Sequence, residues 1–306
     1  MRKAFADTLC QLAAADERII FLTGDMGYLT FDAYRQRFSK RYLNVGVAEA
    51  ALVDVAAGLA LEGYRPICYS IASFLTGRAW EQIKCVNAMR LPIVFAGVGG
   101  GYTYANAGPT HHSAEDLGLM CLLPGMTVTA PGCPEEVNAL LPQLLALQGP
   151  SYMRLGRYGE PNYPAETPVT LGKIRRVATA IEPMVHILCA GALATVAVQA
   201  IRLLPAERIR ATILQAHTLK PFDASILDSE ARRILVVQEH LPQGGLYDTV
   251  CRWRNGAFGE DIVVERVGPA DAVVSGTYQP ITPMDIVNGC RRVMRLCQHR
   301  GGYKRG

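Results

Sequence analysis

Short apolar runs rich in β-branched and aromatic residues alternate with longer segments of helical periodicity along nearly all of this 306-residue chain. Ile19–Thr23, Tyr42–Val45, Pro66–Ser70, Pro92–Ala96, Thr127–Ala130 and Ser151–Arg154 have the composition of buried strands. Between them, Lys3–Ala15, Glu49–Leu61, Thr76–Met89 and Glu135–Leu147 have the length and spacing of helices. Strands joined by crossovers of this length must lie parallel, so the expected fold class is α/β with doubly wound sheets. After a stretch richer in Pro and Gly the pattern resumes: strands at Val185–Cys189, Arg210–Leu214, Ile234–Val237 and Ile262–Val264, helices at Ala192–Leu204 and Asp285–Leu296. The chain is long enough for two such domains. The expected division is a first domain over 1–165, a linker and opening strand over 166–183, and a second domain over 184–306.

Composition narrows the class further. Half the residues are apolar and the net charge is only +4, which by itself points to neither nucleic acid nor membrane as a partner. Basic residues collect from Arg291 to Arg305, where a solvated tail is the expectation. Nine cysteines, none in a Cys-x-x-Cys pair, argue against a disulfide framework or a structural zinc. With no secretory apolar segment, they imply a reducing, cytoplasmic setting.

Four places could carry chemistry. Glu49 follows a strand by a few residues and opens the small-residue helix Glu-Ala-Ala-Leu-Val-Asp-Val-Ala-Ala-Gly. That is the carboxyl edge of a parallel sheet, where such folds bind ligands, although a first-turn glutamate is also favoured by the helix dipole alone. Phe74, in Ser73-Phe74-Leu75-Thr76-Gly77-Arg78, could stack a flat ring or simply fill the core, with Tyr69 and Trp80 as alternatives; Arg78 is either a site-edge cation or a surface charge. The loop from Gly99 to Asp116 begins with three glycines but lacks the Lys-Ser/Thr ending of a phosphate loop. It contains Gly108-Pro109-Thr110-His111-His112 and leads into a helix, and adjacent imidazoles seldom hold one metal ion without distant partners. Arg2 and Arg157 could read a phosphate or be ordinary surface arginines.

Asn44-Val45-Gly46-Val47-Ala48-Glu49, the Phe74–Gln82 stretch and Gly-Pro-Thr-His together resemble the pyrimidine-binding half of the transketolases, thiamine diphosphate enzymes. The resemblance runs from Arg2 to about Thr277 and is to the separate carboxy-terminal subunit of a two-gene transketolase. It implies a pyrimidine-binding domain followed by a transketolase carboxy-terminal domain. It implies that the Glu49 carboxyl group hydrogen-bonds the cofactor's pyrimidine and so promotes loss of the thiazolium proton, with Phe74, Asp25 and Arg78 also at the cofactor. His111, joined by His112, would face the substrate, and Arg157 and Arg2 would grip its phosphate. In the second domain, His217, Glu239 and His240 would be buried structural groups.

Two departures limit the resemblance. The family commonly has Glu-Asp before Gly-Pro-Thr-His, and this chain has Asn106-Ala107, so stereochemical preference should be altered. The Gly-Asp-Gly…Asn motif that holds magnesium against the diphosphate has no counterpart: Gly24-Asp25-Met26-Gly27 has no Asn at suitable spacing. The expectation is therefore no metal site on this chain, Mg2+ held by a partner subunit bearing the diphosphate domain, and two copies of each subunit. Transfer of a two-carbon ketol unit from a phosphorylated ketose to an aldehyde is the implied reaction. The alternatives are the β subunit of a 2-oxo acid dehydrogenase E1, a deoxyxylulose-phosphate-synthase-like acyloin former, and a non-catalytic scaffold.

Overall fold

The computed structural model describes residues 1–157, 159–257, 262–274 and 278–300. Strands β1 (Ile19–Thr23), β2 (Tyr42–Asn44), β3 (Arg65–Ile71), β4 (Val94–Val98), β5 (Thr127–Thr129) and β6 (Ser151–Leu155) form a parallel sheet. The interior strands β1 and β4 are buried along their whole length, which requires helices on both faces and explains their unbroken apolar runs. Those helices are α1 (Arg2–Ala15), α2 (Asp32–Arg37), α3 (Glu49–Leu61), α4 (Ala72–Arg78), α5 (Trp80–Ala88), α6 (Asp116–Leu122) and α7 (Pro134–Leu145). Pro134 at the start of α7, with Glu135 and Glu136 behind it, is a favourable opening turn.

The single helix expected over Thr76–Met89 is two. The backbone breaks at Ala79 (φ −102°, ψ 20°), next to Gly77 with its low helix propensity. The break frees Arg78 at the end of α4.

A second sheet contains β7 (Arg175–Ala178), β8 (Val185–Cys189), β9 (Ala211–Gln215), β11 (Arg233–Val237) and β12 (Val263–Val267), in the order β12-β11-β8-β9-β7. It carries α8 (Leu193–Ala200), α9 (Ser225–Glu230), α10 (Leu246–Ala257) and α11 (Pro283–Arg300). β7 lies inside the stretch expected as a linker and opening strand and runs antiparallel to β9. The short β10 (Thr218–Lys220) leaves this half of the chain and pairs antiparallel with β5, completing a first sheet of order β10-β5-β6-β4-β3-β1-β2. No helix among the described residues is long and apolar enough to cross a membrane. The basic stretch beyond Arg300 lies outside the described residues.

Hydrogen bonds join the halves. The Ala130 amide donates to the His217 carbonyl (2.9 Å) and the Leu241 amide to the Ala114 carbonyl (2.9 Å). His240 is buried at this junction: the Gly118 amide donates to its Nε2 (3.0 Å), and Nδ1 faces the Leu241 carbonyl (2.8 Å). An amide can only donate and a carbonyl only accept, so the ring is held neutral with its proton on Nδ1. Burial accordingly lowers the His240 pKa from 6.5 to about 4. Above pH 6.5 both folded and unfolded chains carry this ring neutral. As pH falls from 6.5 toward 4, the unfolded chain takes up a proton that the folded chain excludes, a loss of about 3 kcal/mol of stability. Urea unfolding of wild type and His240→Gln between pH 7.5 and 4.5 measures it: the gap between the two should narrow as pH falls, and a constant gap would contradict the assignment.

Candidate active site

The first sheet reverses its strand order between β1 and β3, because the chain passes from β1 to β2 on one side and then to β3 on the other. Ligands of open parallel sheets settle beyond the carboxyl ends of strands at such a reversal. Gly24 ends β1 there, Ser70 lies near the end of β3, and Glu49 begins α3. Glu49 is 3% exposed, and its carboxylate accepts from Ser70 Oγ through Oε1 (3.1 Å) and from Arg78 Nη1 through Oε2 (3.1 Å). A methyl group at Gly24 would stand at ordinary contact distance, 3.6 Å, from both the carboxylate and Ser70 Oγ, which places the residue after β1 close against this pair.

Arg78 reaches Glu49 across Phe74. Its guanidinium carbon stands 3.9 Å from the centroid of the Phe74 ring. Phe74 in turn meets His111 edge-on at 4.9 Å between centroids. His111 is set by its neighbours: Thr110 Oγ1 lies 3.0 Å from Nδ1, and Ser73 Oγ donates to the Thr110 carbonyl (3.2 Å). Tyr104 follows at 5.7 Å from His111, and the Arg157 guanidinium lies over the Tyr104 ring at 4.1 Å. Gly99 makes room for this ring: its backbone is left-handed (φ 74°), and a Cβ there would run into Tyr104. The result is a continuous row from a buried carboxylate, over an aromatic face, past an imidazole, to a guanidinium.

The other sequence candidates take different places. Arg2 donates to the Tyr69 hydroxyl (3.1 Å) and to Thr30 Oγ1 (3.1 Å), tying the start of α1 to the end of β3. Burial pushes the Tyr69 phenol up to about 12, so it meets Arg2 as a neutral hydroxyl. Asp25 is exposed and left-handed (φ 55°); it is hydrogen-bonded by Tyr28 and by Asn44 Nδ2 (3.1 Å), and these bonds lower its pKa. His112 is buried on another side of the loop, its ring 4.9 Å from Tyr102 and its Nε2 3.2 Å from the Ala105 carbonyl. Of the three candidate stacking rings, Tyr69 is buried in one core cluster and Trp80 packs against another, leaving Phe74 beside Glu49. Ser70 and Tyr104 have no sequence signature; they are found only because a strand end and a loop meet in space. No group of three or more His, Cys, Asp or Glu that could hold a metal ion occurs among the described residues.

Residues 1–160 match the model of the transketolase pyrimidine-binding domain, and residues 172–289 that of the transketolase carboxy-terminal domain. The chain therefore belongs to the transketolase family. It is 35% identical over 226 residues to the 6-deoxy-6-sulfo-D-fructose transketolase subunit SqwH of a Clostridium species, covering 73% of this chain and 70% of that one. It is 34% identical over 292 residues to 1-deoxy-D-xylulose-5-phosphate synthase 1 of Geobacter sulfurreducens, covering 92% of this chain but only 45% of that protein. Relatives of the latter kind are about twice as long as this chain. Among solved structures, a split-gene transketolase described as an inactive β4 tetramer superposes with a TM-score of 0.85 at 28% identity, covering 96% of this chain and 98% of the other.

The family implies thiamine diphosphate, and the residues present fit its pyrimidine. Phe74 and Glu49 together already hold a flat, hydrogen-bond-donating cation, the Arg78 guanidinium, on an aromatic face against a carboxylate. A nitrogen heterocycle with a protonated ring nitrogen makes the same two demands.

Proposed function

We propose that this chain is the pyrimidine-binding subunit of a two-chain, thiamine diphosphate-dependent transketolase that moves a two-carbon ketol unit from a phosphorylated ketose to an aldehyde. The observation that carries the reading is Glu49, buried at the strand-order reversal with Phe74 and His111 in sequence beside it. The cofactor supplies the stabilised carbanion equivalent that this chemistry needs. Glu49 holds the pyrimidine nitrogen by a hydrogen bond, and Ser70 fixes the carboxylate that makes it. Phe74 would supply the stacking face, on which the Arg78 guanidinium now lies. His111 presents an imidazole to the substrate's oxygen, where it can donate or accept a proton near neutral pH. Arg157, set over Tyr104, receives the phosphate, with Arg2 behind it.

The site is one half of a whole. 1-Deoxy-D-xylulose-5-phosphate synthase 1 of Geobacter sulfurreducens is about twice as long as this chain, which covers 45% of it. In this reading a separate subunit holds Mg2+ and the diphosphate, and two copies of each chain assemble as α2β2. Exposed Tyr28, Leu29 and Val47 flank the Asp25–Asn44 hydrogen bonds and give that partner an apolar surface.

The purified chain is expected to show no ketol transfer alone, and to gain it with a diphosphate-domain partner, thiamine diphosphate and magnesium. Turnover by the isolated chain would refute the half-site. A second reading, acyloin formation from a 2-oxo acid, is supported by the 34% identity to 1-deoxy-D-xylulose-5-phosphate synthase 1. Carbon dioxide release from pyruvate by the reconstituted complex, without transfer from a ketose phosphate, would favour it.

A further inference from the structure

The second sheet has its own strand-order reversal. The chain leaves β8 toward β9 on one side and returns to lay β11 on the other. In the first sheet the corresponding place holds Glu49 and its partners. In the second it contributes nothing to the proposed ketol-transfer site, yet it opens into a cavity of about 420 Å³. That volume lies within the ~300–1,000 Å³ of small-molecule pockets, and the carboxyl end of a parallel sheet at a reversal is where such pockets form. The carboxyl ends of β4 and β6 face it from the first sheet, so the two domains close around it.

Its lining is apolar with one distinctive polar group. Leu193 and Val196 of α8 and Ile281 form walls, and Tyr102 and Tyr278 stack at 4.2 Å with an interplanar angle of 16°. Glu239, which follows β11, brings a carboxylate to the cavity. Gly101 lies directly behind it; its backbone is left-handed (φ 67°), and a Cβ there would collide with the carboxylate. The nearest cation acts on Glu239 through space but makes no hydrogen bond to its carboxylate. Arg154 gives Nε (3.0 Å) and Nη2 to Asp116, Nη2 again to the Ser113 carbonyl (3.2 Å), and Nη1 to the main-chain carbonyl of Glu239 (3.0 Å). Two further charges at the rim, the Met1 amine and the Glu160 carboxylate, are paired with each other (2.9 Å). Burial raises the Glu239 pKa, and the Arg154 charge and the Tyr102 main chain offset that rise only in part. A charge held this way favours a ligand that brings the missing cation.

We propose that this interdomain cavity is a second ligand site, one that takes a small amphipathic cation: an amine or amidine nitrogen on the Glu239 carboxylate, and an apolar body against Leu193, Val196 and Ile281. Tyr102 belongs to the same loop as His111, so a ligand seated here touches the segment that carries the proposed substrate-facing imidazole.

The test uses the purified full chain and three probes of one shape: benzylamine, benzyl alcohol and benzoate, titrated by calorimetry and by saturation-transfer NMR. Benzylamine should bind at least tenfold more tightly than either of the others. Glu239→Gln keeps the side chain's shape and should weaken benzylamine at least tenfold while leaving benzyl alcohol unchanged. Val196→Phe, which fills the cavity from the opposite wall, should abolish binding of all three, and near-UV circular dichroism of each variant reports that the fold is intact. Equal affinity for benzylamine and benzoate, absence of saturable binding, or benzylamine binding indifferent to both substitutions would overturn the proposal. Neither partner subunit nor thiamine diphosphate is needed, and Glu49→Gln should leave benzylamine binding untouched, so failure here and failure of the ketol-transfer reading are separable.

Discussion

In the reconstituted complex, Glu49→Gln is expected to lower kcat for ketol transfer by about 10²- to 10⁴-fold, the range that a positioned acid–base group contributes. Glutamine keeps the size of the side chain and one acceptor for Ser70, so packing at the reversal should survive. What disappears is the negative charge that Arg78 now pairs with and that a protonated pyrimidine nitrogen would pair with in its place. Glu49 lies behind Phe74 relative to His111, so the KM for the ketose should move far less than kcat. Steady-state kinetics at saturating cofactor, with a thermal melt to confirm folding, separate the two parameters. A kcat within tenfold of wild type would sink the assignment of Glu49.

The largest stability effect is expected at Asp116. This carboxylate is fully buried at the start of α6 and accepts hydrogen bonds from Tyr152 (2.5 Å), from the Leu117 amide (2.7 Å) and from Arg154 through two nitrogens. Arg154 in turn holds the Ser113 and Glu239 carbonyls, which ties the loop before α6 and the second domain to β6. Asp116→Ala removes the acceptor and leaves a buried guanidinium and a buried phenol without it, which costs about 3–5 kcal/mol. The double variant Asp116→Leu with Arg154→Met removes the stranded charge as well and should recover much of that loss, because a buried ion pair is worth little against apolar residues of similar volume. Urea denaturation of the three proteins decides it. A loss below about 1 kcal/mol in Asp116→Ala would show that the network is not holding the domains.

Periodicity made the central elements legible. Ile19–Thr23 reads as a buried strand and is one, because a strand covered on both faces has no polar side to show. Glu49–Leu61 reads as a helix and is one within the same bounds. What escaped were elements whose stability comes from where they dock. β10 is three residues long, and its hydrogen bonds go to β5, about ninety residues away in the chain; no local pattern encodes that pairing. α2, of six residues, is too short for periodicity to register. The break at Ala79 was missed because Gly77 lowers helix propensity without dictating a turn.

The site divides in the same way. Glu49, Phe74 and His111 could be named from motifs, since each motif is a local run of residues. Their order in space, with Arg78 bridging the first two, depends on the Ala79 break and on the loop from Gly99 to Glu115 folding back over α4. His112 takes another place, because adjacent residues in a turn point in different directions: His111 joins the row and His112 is buried against Tyr102.

Alone, the sequence determined that this chain would build parallel sheets with a carboxylate at the head of a small-residue helix, because alternation of apolar runs and helical spacing leaves few other ways to bury half its residues. Only the tertiary structure decided that two strand-order reversals would exist, that one would gather Gly24, Ser70 and Glu49, and that the other would place Glu239 on an interdomain cavity. Strand order is set by long-range packing, which no stretch of sequence contains by itself.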